Sequence, residues 1–210
     1  LSHNQFDYRL KLTSAPGDFQ LQGNGDLNPL SANIHMVGNH LTVYNTQDAN
    51  IIASPDLTVK LRQEDIDIAG NVFINKASIT PRDFTSVAKL PDDITWLDDA
   101  KPEKSTWHVA QKVKIELSDD VAIHYAGLDA KLAGDLTVSQ SNNGTQTAVG
   151  SIKMPEGKYK AYGQNLTIKN GMFTYTGGAL DNPGLSISAS RTIQNFSGPT
   201  KTTDTTGPMG

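Results

Sequence analysis

At 210 residues the chain is long enough to bury a core as one domain or two, and 37% apolar with 19% charged residues excludes wholesale disorder. A net charge of −4 leaves no nucleic-acid footprint, and the absence of cysteine excludes disulfides and thiolate metal sites. That composition fits a reducing cytosol or a Gram-negative envelope protein. No stretch of about 18 apolar residues occurs and LSHNQFDYRL is not a basic-then-apolar leader, so the anchor or signal of an envelope protein is expected outside this sequence.

Period-two alternation, the mark of a half-buried strand, recurs almost from end to end. Phe6, Tyr8, Leu10 and Leu12 open it, and Phe19 with Leu21 follow a turn at Pro16-Gly17. Ile34 and Met36 run into Gly38-Asn39 and Leu41 and Val43 run out, which predicts a hairpin there. Leu57, Val59 and Leu61 continue the pattern. Ile66, Ile68, Val72 and Ile74 surround Gly70, which within a strand predicts a bend or bulge. Pro81 to Leu90 is the one stretch compatible with a short helix, and 91–106 reads as an acidic, proline-punctuated loop.

Val113, Ile115 and Leu117 precede a turn at Asp119-Asp120, and Val121, Ile123 and Tyr125 follow it. Leu128, Ala130, Leu132, Leu136 and Val138 form the longest run, with Gly134 on the same face. Ala148, Gly150, Ile152 and Met154 share the next. Four short runs then follow from Gly157 to Arg191: Tyr159 and Ala161, Leu166 and Ile168, Phe173 and Tyr175, and Leu185, Ile187 and Ala189. Residues 195–210 hold almost nothing to bury and are expected to be flexible, leaving 1–193 as one continuous all-β domain and 194–210 as a tail or truncation point. Strands spaced by about 8–12 residues predict a sandwich, a barrel or an elongated sheet, and sequential neighbours favour a meander.

Catalytic chemistry finds little support. The histidines at 3, 35, 40, 108 and 124 never reach ligand spacing with acidic partners, and His35 with His40 reads as a surface pair rather than a metal site. Asp92-Asp93, Asp98-Asp99 and Asp119-Asp120 are in-sequence neighbours that would point to opposite faces, so they mark turns better than paired catalytic carboxylates. Gly23-Asn24-Gly25 lacks the third glycine of a nucleotide loop, and no serine nucleophile elbow is present. The sequons at Asn143, Asn165 and Asn195 matter only along a eukaryotic secretory route. Lys153, Lys158, Lys160 and Lys169 would line the outward face of the last strands, as a solvated surface or a site for an acidic partner. No enzyme activity, cofactor or metal is expected.

The apolar face is the remaining candidate. Burying one large apolar side chain is worth about 1.5–3 kcal/mol, so about thirty left in water would forfeit far more than a net stability of about 5–15 kcal/mol. Either the sheet packs on itself as a sandwich with walls about 10 Å apart, or it curves into a trough filled by an apolar ligand. Small residues at Ala130, Gly134, Ala148, Gly150, Ala161 and Ala189 would thin one wall and leave room for an acyl chain.

AYGQNLTIKNGMFTYTGGALDNPGLSISASR resembles the C-terminal domain of the TamB family, the inner-membrane-anchored subunit of the translocation and assembly module of Gram-negative envelopes. The shared positions include Gly157, Tyr159, Tyr162, Gly163, Gln164, Leu166, Ile168, Gly171, Phe173, Tyr175, Gly177, Leu180, Asp181, Asn182, Pro183, Leu185, Ile187, Ala189 and Arg191. GLDAKLAGDLTV (127–138) and DIAGNVFINKASITPRDF (67–84) are similar to preceding repeats of that family, so the resemblance covers about 67–191. One residue at Gly178-Ala179 is additional to the family pattern, and the family's final strands are not matched.

The resemblance implies an all-β, elongated, curved, mostly meander sheet, a β-taco or trough with an apolar inner face. It further implies a periplasmic location, within a protein reaching from the inner membrane toward an outer-membrane barrel assembly partner of the TamA or BamA type. The expected role is non-enzymatic: shielding or conducting phospholipid acyl chains, or assisting assembly of outer-membrane proteins such as autotransporters by receiving their nascent strands. The residues expected to line the groove are Leu128, Leu132, Leu136, Ile152, Met154, Leu166, Ile168, Phe173, Tyr175, Leu185 and Ile187. The alternative is a structural all-β spacer or adhesin-like sheet with a closed core and no ligand.

Overall fold

The computed structural model of the chain describes residues 5–14, 17–80, 107–142, 144–161 and 163–191. The expected helix at 81–90, the acidic loop at 91–106 and the tail from 194 lie outside these residues. Among the described residues every regular element is a strand. These are β1 (Gln5–Ser14), β2 (Gly17–Leu27), β3 (Leu30–Asn39), β4 (Leu41–Asn45), β5 (Ala49–Arg62), β6 (Asp65–Ile79), β7 (His108–Leu117), β8 (Val121–Tyr125), β9 (Leu128–Lys131), β10 (Ala133–Gln140), β11 (Thr147–Met154), β12 (Gly157–Ala161), β13 (Gln164–Ala179) and β14 (Gly184–Ser190).

All fourteen belong to one curved sheet, so the face-to-face sandwich is not adopted among the described residues. Several strands are halves of longer ones. β3 and β4 both run antiparallel along β5, and β7 and β8 both run parallel along β6. β11 and β12 both pair antiparallel with β13, while β9 and β10 pass between these two composite strands. Once the halves are joined, spatial order equals chain order. The expected meander is therefore observed, with one parallel step from β6 to β7.

The hairpin expected at Gly38-Asn39 does not form. His40 adopts φ 52° and carries β3 onward into β4 along the same neighbour, so the chain jogs instead of reversing. Asp119-Asp120 likewise marks a jog between β7 and β8. True reversals occur at Asn28-Pro29, at Gln63-Glu64 and at Ala126-Gly127, where the flanking strands pair directly. Ala126 and Gly127 both have positive φ, as a two-residue hairpin of matching twist requires.

The jogs line up. Register shifts fall at Thr42–Tyr44, Ile52–Ala53 and Ile168–Asn170, and the breaks at Ser118–Asp120 and Pro155–Glu156 lie at the same level of the sheet. Each extra residue bends its strand and shifts the alternation by one. Together they form a crease that runs across the strands. The backbone groups freed there are paired across it: Ala77 N–H donates to Asp120 O, Leu132 N–H to Val121 O, and Lys131 N–H to Glu156 O. Ser118 contributes its hydroxyl to Asn75 O at 2.6 Å. Aligned bulges with satisfied backbone cost little, which is how so long a sheet can curve without a second layer.

Glycine permits the curvature at two further places. Gly70 (φ 145°) and Gly134 (φ 127°) lie where a Cβ would run into the neighbouring strand, against Asp56 O and Ser151 O respectively. Only a residue without a side chain fits that approach. The bend expected at Gly70 is thus explained by its backbone and its close neighbour.

Candidate functional site

Residues directly opposite each other in a ladder point to the same face, so the registers assemble the two faces row by row. One row runs Leu10, Leu21, Met36, Leu57, Gly70, Val113, Val138, Ala148. A second joins Val72, Ile115, Leu136, Gly150 and Tyr175, and a third joins Ala53, Ile74, Leu117, Gly134, Ile152, Phe173 and Leu185. Beyond the crease, Ile79, Ile123, Ala130, Gly157, Ile168 and Ala189 make another. No Asp, Glu, Lys or Arg occupies any of these rows. Alternation in the sequence is thereby converted into one continuous apolar face crossing the whole sheet.

The charges lie on the other face. Lys153, Lys158, Lys160 and Lys169 are exposed there, as are the ion pairs Lys76–Asp120 (3.4 Å), Lys131–Glu156 (2.9 Å) and Lys114–Glu116 (3.7 Å). Hydrogen bonding to Glu156, with its negative charge, raises the Lys131 pKa above its ordinary value. His35, with Asp56 at 2.8 Å, and His124, with Asp129 at 3.2 Å, lie among polar neighbours, and His40 turns to Asn39 at 2.7 Å. The described residues contain no group of three or more His, Cys, Asp or Glu able to hold a metal.

The groove candidates named from the sequence all fall on the apolar face but in three different settings. Met154 and Ile168 are buried with Ala130, and Leu128, Leu132, Phe173 and Ile123 pack against them. This cluster sits at the crease, on the adjacent strands β8, β9, β11 and β13. Gly171 lies against Met154, so the methionine occupies the space that a larger residue would fill. Leu136 is buried farther up the wall, and Ile152, Leu166 and Tyr175 are half-buried. Leu185 and Ile187 on β14 are 61% and 50% exposed.

The far end is just as open. Leu10 and Leu12 on β1 are 45% and 52% exposed, although Leu10 heads the first of these rows and Leu12, two residues on, shares its face. Phe6 and Tyr8 stack at 6.1 Å and lean over Gly25 and Gly23 on β2, covering bare backbone with aromatic rings. The result is a trough packed shut along the crease between β8 and β13 and uncovered toward β1 and β14. Only eight apolar residues are buried among those described, and no polar or charged residue is. Most of the inner face is half-buried or exposed.

One rung of that face departs from the pattern and was not singled out in the sequence. Ile68 pairs with Gln111, and Gln111 with Gln140, whose carbonyl accepts a hydrogen bond from Gln111 Nε2 at 3.2 Å. Two glutamines far apart in sequence carry no local signal, and only the β7–β10 register brings them together.

The signature stretch near the C-terminal end has structural explanations. Asp181-Asn182-Pro183 makes the turn into β14, where Asn182 N–H donates to Ala179 O, and Leu180 N–H ties this turn to Gln146 O. Comparison with known proteins agrees with that stretch and extends it. The sequence model of the TamB C-terminal domain matches residues 9–207. A translocation and assembly module subunit TamB from Haemophilus influenzae is 26% identical over 87% of this chain, and the chain spans 17% of the length of that relative. The match also takes in β1 to β5, which the resemblance read from the sequence left out, and the chain belongs to the TamB C-terminal domain family.

Proposed function

We propose that this domain is a non-enzymatic periplasmic trough whose apolar face holds phospholipid acyl chains during outer-membrane assembly. The observation that carries the reading is the continuous, charge-free inner face, uncovered at both ends of the sheet. An acyl chain has no polar group to desolvate. A nascent polypeptide laid on the same face would leave its backbone N–H and C=O groups without partners, at about 2–7 kcal/mol each in an apolar setting. Protein cargo would therefore pair at a strand edge, while lipid suits the face.

The name of the curated relative, a translocation and assembly module subunit, supports placing this chain in such a machine. We assign it an outer-membrane barrel partner of the TamA or BamA type and the Gram-negative periplasm. The outer edges of β1 and β14 have backbone groups suited to such a partner, or to the strands of an autotransporter, by β-augmentation. A second reading, a spacer with a closed core, draws support from the cluster around Met154.

The two readings separate in one experiment. Leu10→Asp places a charge on the open part of the face, where the side chain is already half in water and the fold tolerates it. A trough predicts a cooperative melt lowered by only a few degrees and less bound phospholipid than in the unsubstituted protein. A spacer predicts no phospholipid in either protein.

A further inference from the structure

The Gln111–Gln140 rung lies within a face built largely from apolar side chains and glycine, close to its rim. Val109 is the next inward residue outward along β7, and Gln140 ends β10. Its amides are only partly used. Gln111 Nε2 donates to Gln140 Oε1, and Gln146 Nε2 reaches the same oxygen at 3.5 Å. A primary amide offers two N–H donors and a two-lone-pair oxygen, so the Gln140 NH2, one Gln111 N–H and the Gln111 oxygen retain capacity. Donors on the edge of an apolar wall suit ester carbonyls and phosphate oxygens.

The wall below the rung has a defined depth. From Gln111 to Leu117, the last inward residue before the crease, β7 advances six residues, or about 20 Å at about 3.3 Å each. Val113, Ile115 and Leu117 line this distance on β7, and Val138 and Leu136 do so on β10. A bilayer hydrocarbon core of about 30 Å gives each leaflet about 15 Å, so the wall is deep enough for one acyl chain running along the strands. The packed crease is its floor.

Resting on the trough reading above, we infer that the Gln111–Gln140 rung holds the ester and headgroup end of a diacyl phospholipid whose tails run down β7 and β10 toward the crease. The trough then orients its lipid, with head at the rim and tails at the fold line. A peptide gains nothing from this arrangement, because its polar groups recur at every residue.

Depth-resolved quenching tests this. Single tryptophans are placed at Val113 and at Leu117 in a Trp96→Phe, Trp107→Phe background, and each protein is loaded with phosphatidylcholine brominated near the carboxyl end or near the methyl end. The orientation predicts stronger quenching of the 113 probe by the carboxyl-end bromines and of the 117 probe by the methyl-end bromines. Equal or reversed profiles would overturn the orientation while leaving lipid occupancy intact; no quenching at either site overturns the trough itself. In parallel, Gln111→Leu with Gln140→Leu removes both polar partners together, which preserves packing. The double variant should bind phosphatidylcholine roughly fivefold more weakly, the loss of about one hydrogen bond, and hexadecane equally well. Unchanged phosphatidylcholine binding contradicts the assignment.

Discussion

The division between a packed crease and an open face makes a quantitative prediction for Met154 and Leu185. Met154 is 1% exposed, the largest fully buried side chain described, and is held between Gly171 and the Ala130–Ile168 pair. Truncation to alanine removes its transfer energy and leaves a cavity that glycine and alanine neighbours cannot fill, so Met154→Ala should cost about 3 kcal/mol, within the usual 2–5. Leu185 has about two fifths of its surface covered, and scaling about 1.5–3 kcal/mol for full burial gives about 1 kcal/mol or less for Leu185→Ala. For a chain of this size about 1 kcal/mol shifts the melting midpoint by about 2–4 °C. Thermal melts followed by circular dichroism should thus show a fall of about 6–12 °C for Met154→Ala and of at most about 4 °C for Leu185→Ala. Equal shifts for the two variants would refute this distribution of packing, since β14 would then be as well covered as the crease.

Other expectations follow from the same geometry. Gly134→Ala should lower stability by more than about 1 kcal/mol in urea titration, because alanine is strained at φ 127° and its Cβ meets Ser151 O. Ile168→Asp should unfold or strongly destabilise the domain, as it puts a charge into the buried cluster, whereas Leu10→Asp, on a half-exposed position, should lower the melting midpoint by only a few degrees, about 1–2 kcal/mol; matched melts of the two check this. Lys131 has a raised folded-state pKa, so its contribution is fully present below the ordinary lysine value of 10.5 and is lost as pH rises through the folded value. Stability measured across alkaline pH should decline there, and Lys131→Met should flatten that decline while altering neutral-pH stability little, as is usual for an exposed pair.

Much of the face was legible because period-two alternation is a local property. Leu10, Ile34, Val59, Ile115, Leu136 and Ile152 could each be assigned to the inner side from their immediate neighbours, and the registers align them. The crease was not legible. A bulge changes phase with no fixed residue code, so Gly38-Asn39 and Asp119-Asp120 resembled turns while the chain ran straight on past them. Val43, counted in phase with Leu41, falls at the Thr42–Tyr44 shift for the same reason. The parallel step from β6 to β7 was hidden because it joins strands separated by 28 residues, between Ile79 and His108, that carry no strand signal. The Gln111–Gln140 rung was hidden because it exists only in the register.

The glycines illustrate both outcomes. Gly70 inside an apolar run pointed to a bend, and its backbone shows one. Gly134 and Gly150 suggest thin places in a wall, and at both a Cβ would run into the backbone of the neighbouring strand. The close approach of neighbouring strands thus depends on those missing side chains.

Whether the uncovered apolar face holds lipid is read out by native mass spectrometry of the chain after exposure to phosphatidylethanolamine and phosphatidylglycerol vesicles. Protein peaks carrying one or more whole phospholipid masses are expected, fewer of them in Leu10→Asp. A lipid-free protein at every vesicle concentration would contradict the trough reading.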